Sequence, residues 1–237
     1  MSTIVDFHSH ILPEIDDGSG SLTESIGMLK MEARQEIRHV IATPHFYARY
    51  DDPKQFLLNR RKAELRLREA MKRVDGLPKV TVGAEVHFFS GMSDSRVLPY
   101  LTIGQKRCIL IEMPESPWSE SMYRELENVS VKQGLIPIIA HVDRYIAPFR
   151  TYHIPERLEE LPVLVQANAN FFLRSSTRSM ALKMLKKNQI QLLGSDCHNL
   201  TTRQPNLGDA VEVIQHRLGP DALKRIQYYQ NEILMDE

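Results

Sequence analysis

Cysteine is nearly absent from this sequence: Cys108 and Cys197 are the only two in 237 residues, too few for a disulfide framework. Long apolar runs are missing as well. The longest, such as Leu135 to Ala140, fall far short of the roughly 20 residues that a membrane-spanning helix needs. The first residues, Met-Ser-Thr-Ile-Val-Asp, carry neither a basic segment nor an extended apolar stretch, so no signal peptide is expected. Net charge is lacking too. Thirty Lys and Arg are offset by thirty Asp and Glu, leaving no overall positive field to gather nucleic acid or an anionic membrane. No Gly-rich nucleotide loop, no Pro-rich or Gly/Ser linker and no repeat of fixed period interrupts the chain. These absences predict a soluble, cytoplasmic protein, one domain over residues 1–237, with no membrane insertion and no nucleic-acid partner.

What is present is ordinary globular composition, 42% apolar and 25% charged, enough to build a core. Short β-branched runs recur. Candidate strands are Ile4–His8, His39–Thr43, Lys79–Glu85, Cys108–Met113, Ile136–His141, Val163–Ala167 and Gln191–Ser195. Most are near-continuous apolar runs, as in strands buried on both faces. Helical patterns lie between them. Ser21 and Glu24 form a capping-box signature, followed by an apolar face of Leu22, Ile26, Leu29, Ala33 and Ile37. Asp52-Pro53 opens a charged helix running towards Val74. Further helices are marked by Met122, Leu126 and Val129, by Met180, Ala181, Met184 and Leu185, and by Ala210, Val211, Ile214 and Leu218 before Gly219-Pro220. This alternation predicts an α/β fold with parallel strands. Seven units without a nucleotide fingerprint favour a distorted seven-stranded (β/α)7 TIM-like barrel over a doubly wound sheet.

Metal-ligand residue types fall at the ends of these strands. His8 and His10 end the first, His45 the second, Glu85 the third, Glu112 the fourth, His141 the fifth, and Asp196 and His198 the seventh. In a parallel barrel those ends share one face, where active sites sit. With Asp17 from the first loop the convergent set has nine members. A single ion takes four to six ligands, so two or three ions sharing carboxylates fit better, Glu85 and Glu112 being natural bridges. Imidazole mixed with carboxylate suits manganese, iron or zinc. Any one of these residues alone reads as a packed or ion-paired side chain; eight of them ending six of seven strands do not. His39, His87, His153 and His216 fall outside the pattern and read as surface or structural.

The stretches His8-Ser9-His10-Ile11-Leu12-Pro13, Ile15-Asp16-Asp17-Gly18 and Ala42-Thr43-Pro44-His45 resemble the PHP (polymerase and histidinol phosphatase) superfamily. So do Gly83-Ala84-Glu85, Leu110-Ile111-Glu112-Met113-Pro114, His141-Val142-Asp143-Arg144-Tyr145, Gln166-Ala167-Asn168-Ala169 and Gly194-Ser195-Asp196-Cys197-His198-Asn199. The closest resemblance is to the bacterial PHP-type protein tyrosine phosphatases of capsule and exopolysaccharide operons. It implies a barrel of the PHP type with three divalent ions, often manganese, with iron, zinc and magnesium as other candidates. It also implies a ligand distribution: one ion on His8, His10, Glu85 and Asp196, a second on Glu85, Glu112 and His141, a third on Asp17, His45 and His198. Arg144 and Arg203 match the family's phosphate-contacting arginines. The implied substrate is a phosphotyrosine protein, a tyrosine autokinase of polysaccharide export, and oligomers are compatible with the resemblance.

The expected reaction is phosphomonoester hydrolysis by a hydroxide held between ions, with Arg144 and Arg203 clamping the phosphate. Asp17 or a histidine is the candidate general acid. The rival readings are a small phosphomonoester such as histidinol phosphate as substrate, and a non-catalytic metal-binding regulator. A nuclease is disfavoured by the charge balance. Cys197 and Arg203 also have the Cys-x5-Arg spacing of thiolate phosphatases, but the intervening residues hold no glycine with which to cradle phosphate. The stretch Phe46–Gln55 reads as mobile, and whether it acts as a lid is left open by the sequence.

Overall fold

The structure, a computed structural model, describes residues 4–103, 107–146 and 153–234. It opens with β1 (Val5–Ser9), which leads through a loop into α1 (Leu22–Arg34) and on to β2 (His39–Ala42) and β3 (His45–Phe46). Ser21 caps α1 by accepting from the Glu24 N–H at 3.1 Å. The Glu24 carboxylate accepts from Gly20 N, one residue short of the box that the sequence suggested. The long α2 (Pro53–Met71) starts as expected, with Asp52 accepting from Gln55 N and Pro53 in the first turn. Next come β4 (Lys79–Val82), β5 (Glu85–His87), β6 (Cys108–Glu112), α3 (Glu120–Gln133) and β7 (Ile136–Ile139). Short α4 (Asp143–Ile146) and α5 (Ile154–Glu159) precede β8 (Leu164–Asn168), α6 (Ala169–Leu173), α7 (Ser175–Lys186) and β9 (Leu192–Gly194). The chain closes with α8 (Leu207–Leu218) and α9 (Pro220–Leu234), separated by Gly219 in the left-handed region at φ 78°.

All strand neighbours are parallel, in one sheet ordered β1-β2-β4 and another ordered β3-β5-β6-β7-β8-β9. Every predicted strand segment overlaps a strand, but the second and third are cut short before the residue expected to end them. Thr43-Pro44 separates β2 from β3, and Gly83-Ala84 separates β4 from β5. Pro44 has no N–H to give to a ladder. At Gly83 a Cβ would lie 2.4 Å from Ile103 Cγ1, so the backbone there passes too close for any other residue. Bonds still cross both breaks: Gly83 N to Ala42 O at 2.9 Å and Glu85 N to Pro44 O at 3.0 Å. The outer strands β1 and β9 approach each other through Asp196 N to His8 O, 2.8 Å, and His10 N to Cys197 O, 2.9 Å. The parallel sheet is thus curled so that its strand ends converge.

Both faces of the curl are apolar, which explains the unbroken hydrophobic runs. Val5, Phe7, Ile41, Leu110, Ile138, Ala140 and Leu192 pack in one cluster with Ile233 of α9. Alternate residues such as Val40, Ile109, Ile111 and Ile139 pack with the helices in another. Two expectations need correction. Leu29 and Ile37 are buried and Leu22 and Ile26 pack against the core as expected, but Ile37 lies beyond the helix and the buried side of α1 also takes in Ser25, Met28 and Glu32. Asp6 of β1 and Glu32 are buried next to each other. The second correction is α9, which sequence periodicity missed because its buried side mixes Ala222, Ile226 and Ile233 with the polar Gln230. That glutamine accepts from Val5 N at 3.0 Å and so anchors the helix to the start of β1.

Candidate metal centre

The residues of the convergent set lie on or beside the strands at one end of the curled sheet. His8 lies within β1, and His10 just after it, with its neighbour Ser9 bridged to Cys197. His45 and Glu85 open β3 and β5 and are paired across the ladder. Glu112 ends β6, and His141 follows β7. Asp196 and His198 follow β9. His141 and Asp196 hold positive φ, 30° and 54°. Left-handed backbone costs a non-glycine residue of order 1–3 kcal/mol, and here it falls on two of the inward-turned side chains.

Glu85 stands at the middle. Its Oε2 lies 3.0 Å from His8 Nε2, 3.2 Å from His10 Nε2 and 3.1 Å from His45 Nδ1, yet none of these contacts has hydrogen-bond geometry. Its Oε1 is 2.9 Å from His141 Nε2, which is also 3.5 Å from Glu112 Oε1. Asp196 Oδ1 is 3.6 Å from both His8 and His10 Nε2. Asp17, at 64% exposure the outermost member, lies 3.5 Å from both His45 Nε2 and His198 Nε2. All nine residues named from the sequence therefore surround one centre. Three overlapping subsets have atoms close enough to share an ion: His10, Asp17, His45 and His198; His8, His10 and Glu85; and His45, Glu85 and Glu112.

The hydrogen bonds behind the ring aim it. Gln166 Oε1 accepts from the backbone N–H of His141 at 2.6 Å, which fixes that atom as oxygen. His8 Nδ1, 3.2 Å from the same oxygen, must then carry the hydrogen, leaving Nε2 to face the centre. Asp16 does the same for His10, at 2.7 Å from Nδ1, and also accepts from the N–H of His45. His198 Nδ1 bonds to the Asp196 carbonyl at 3.0 Å, and its buried Nε2 has no hydrogen-bond partner. Unpartnered buried atoms of this kind, on Glu85, His45 and His198 together, are costly unless a ligand satisfies them. Imidazole nitrogens and carboxylate oxygens are the donor set of a borderline divalent cation, so these residues fit such an ion.

The electrostatics agree. Burial pushes the His10 imidazole down, but Asp16 and Glu85 outweigh it and raise its pKa to about 10. His141 is likewise raised against burial to about 9 by Glu112 and Glu85. Burial pushes Glu112 up, and hydrogen bonds from His141 and His87 bring it down to about 2. Burial, with His10 nearby, lowers His198 to about 4. The carboxylate field thus holds protons on two imidazoles far above their usual range, and the same field favours a divalent cation in their place.

Both arginines turn towards this centre. Arg144 Nη2 is 2.6 Å from Asp196 Oδ2, and Arg203 Nη2 is 2.8 Å from Asp196 Oδ1. They are 30% and 39% exposed, so each keeps a solvent-facing side. Asn199 positions the Arg203 loop: its Oδ1 accepts from the N–H groups of Thr201, Thr202 and Arg203. Those N–H groups are therefore not free to hold phosphate. Cys197 is fully buried and burial pushes its thiol far up, the opposite of a nucleophilic thiolate.

Four residues at this centre lie outside the set drawn from the sequence. Asp16 holds His10. Gln166 holds His8 and His141. Asn168 Nδ2 donates to Asp196 Oδ2 at 3.0 Å. His87 Nδ1 lies 3.1 Å from Glu112 Oε2 at 41% exposure, a structural contact to one of the candidate ligands. The available signal was β8, within the one predicted strand segment that no ligand ends, whose apolar run ends in the polar pair Gln166 and Asn168. Of the other three histidines set aside, His39 bonds to Thr81 Oγ1, and His153 and His216 are exposed.

Residues 4–236 match the family model described as capsular polysaccharide synthesis, CpsB/CapC. Tyrosine-protein phosphatase YwqE of Bacillus subtilis is 28% identical over 228 residues, covering 92% of this chain and 86% of that one. Tyrosine-protein phosphatase CpsB of Streptococcus agalactiae is 25% identical over 233 residues, 94% of each chain. Among solved structures, one from the work on YwqE of Bacillus subtilis and CpsB of Streptococcus pneumoniae, described as unique metal-dependent tyrosine phosphatases, superimposes with a TM-score of 0.85. It is 25% identical and covers 99% of this chain and 95% of that chain. Taken with the centre described above, these matches make the chain a member of the CpsB/CapC family of capsular polysaccharide synthesis proteins.

Proposed function

We propose that the protein is a metal-dependent protein tyrosine phosphatase. The observation that carries this reading is Glu85 Oε2, buried and within 3.0–3.2 Å of three imidazole nitrogens without a hydrogen bond to any of them. Its support is the agreement between that centre, the two arginines beside it and the named activity of the relatives. The whole chain acts as one domain, its nine strand segments forming a seven-stranded barrel in which β2 continues into β3 and β4 into β5.

Three divalent ions, manganese foremost, are held by the nine ligands. His8, His10, Glu85 and Asp196 serve the first, Glu85, Glu112 and His141 the second, and Asp17, His45 and His198 the third. Bound there, such ions supply Lewis acidity and a water of lowered pKa. The protein's own groups do the rest. Asp16 and Gln166 keep the imidazole tautomers that face the centre. Arg144 and Arg203 leave Asp196 in part and grip the phosphate oxygens bidentately, stabilising charge that grows as the ester bond breaks. Asp17, solvent-facing beside His45 and His198, would give a proton to the leaving oxygen only in a state in which it does not ligate the third ion; a histidine free of metal is the alternative donor. A tyrosine phenol, of pKa about 10, leaves readily, so that proton matters less than for an alkyl ester. The substrate is a phosphotyrosine on a cytoplasmic tyrosine autokinase of polysaccharide synthesis.

The test is hydrolysis of a phosphotyrosine peptide and of histidinol phosphate by the manganese-loaded protein, before and after chelation. Preference for the peptide, lost on chelation and regained with manganese, is expected. Preference for histidinol phosphate overturns the substrate assignment. No turnover of either ester overturns the enzymatic reading.

A further inference from the structure

The nine ligands and two arginines account for a phosphate, but nothing in them distinguishes an aryl from an alkyl ester. The residue after β3 does offer an aromatic surface. Tyr47 is half-buried, and its ring centroid lies 5.2 Å from that of His45 and 5.5 Å from that of His87, tilted by 32° and 41°. Those two imidazoles reach Glu85 and Glu112 respectively, so Tyr47 forms an outer layer directly on the centre. Its backbone is fixed: the N–H donates to Asp51 Oδ2 at 2.6 Å, and the carbonyl accepts from the N–H groups of Tyr50 and Asp51. Tyr145 lies against His141 but is buried, and Trp118 is committed elsewhere. It packs on Tyr145 and Tyr123 and donates Nε1–H to the Pro114 carbonyl.

We infer that the Tyr47 ring, backed by His45 and His87, is the surface on which the aryl group of the substrate stacks, and so sets selectivity for aryl over alkyl phosphate esters. This rests on the phosphatase reading above. An offset aromatic pair is worth enough to change a binding ratio by about two- to tenfold, and an alkyl group gains none of it.

The probes are phenylphosphonate and methylphosphonate, which cannot be hydrolysed, used as competitive inhibitors of the manganese-loaded protein. Metal content is measured alongside for wild type, Tyr47→Leu and Tyr47→Phe. Tyr47→Leu keeps apolar bulk on His45 and His87 but removes the aromatic face. The expected result is that Tyr47→Leu loses about two- to tenfold of the phenyl-over-methyl preference, with methylphosphonate inhibition and metal content unchanged, while Tyr47→Phe retains the preference. An unchanged preference in Tyr47→Leu, or an equal loss in Tyr47→Phe, overturns the inference while leaving the phosphatase reading intact. Wild-type protein that hydrolyses no phosphate ester and binds neither phosphonate overturns both.

Discussion

At the residue scale, the centre works through side chains that touch no substrate as much as through those that would. Gln166 and Asp16 each satisfy the outward nitrogen of a histidine, and each accepts a backbone N–H besides. That double duty fixes both rotamer and tautomer. Gly18 permits it, since a Cβ there would lie 2.3 Å from the His10 carbonyl oxygen, and no larger residue lets the Asp16-Asp17 loop approach so closely. Two predictions belong at this scale. Arg144→Ala removes a guanidinium that already points at Asp196. Charge-assisted hydrogen bonds of about 1.5–3 kcal/mol translate into a loss of roughly 10–100-fold in kcat/KM, with weaker inhibition by phosphate and full metal content. If metal is lost in proportion to activity, the arginine only supports the ligand. Cys197→Ala is expected to keep most of the phosphatase activity, because the thiol is buried and protonated; abolished turnover with metal content intact would restore the thiolate mechanism.

At the element scale, strands were easier to read than helices. Segments such as Cys-Ile-Leu-Ile and Ile-Pro-Ile-Ile are apolar on both faces because both faces are covered, and no helical period competes with that signal. The breaks at Pro44 and Gly83 were visible as residues, but not as breaks, because the ladder resumes beyond each in register. Helix α1 was misjudged by its most informative position. Glu32 is fully buried although charged in type, because Asp6 faces it from β1. Burial and that neighbouring carboxylate push the Glu32 pKa well above its ordinary 4.5. The sign follows from linkage. Folded protein keeps the proton while unfolded chain releases it above pH 4.5, so this position costs stability progressively as pH rises towards the folded pKa. Glu32→Gln removes the titration and offers Asp6 an amide donor. Thermal unfolding at pH 5 and pH 8 should show little change at the lower pH and a higher Tm at the upper, at about 2–4 °C per kcal/mol for a chain of this size. A Tm lowered equally at both would mean that the ionised carboxylate is needed there.

At the scale of the whole molecule, the position of the acids and imidazoles was legible because a parallel sheet sends all its strand C-termini to one face, so sequence position alone implied convergence. The fixing of the ring nitrogens was not, because Gln166, Asn168 and Asp16 reach it from separate parts of the chain through contacts that carry no spacing rule. Among the described residues no helix is long and apolar enough to cross a membrane, in keeping with the short apolar runs. The account depends on the convergent groups being a cage for cations rather than a network of protons. Anomalous diffraction at the manganese edge, from crystals of the manganese-loaded protein, tests that most directly. The account predicts peaks within coordinating distance, about 2.0–2.4 Å, of His8, His10 and Glu85, with further peaks beside Glu112 and His141 and beside His45 and His198. Crystals at saturating manganese with no peak inside the ring, and His141 still hydrogen-bonded to Glu85, would contradict it.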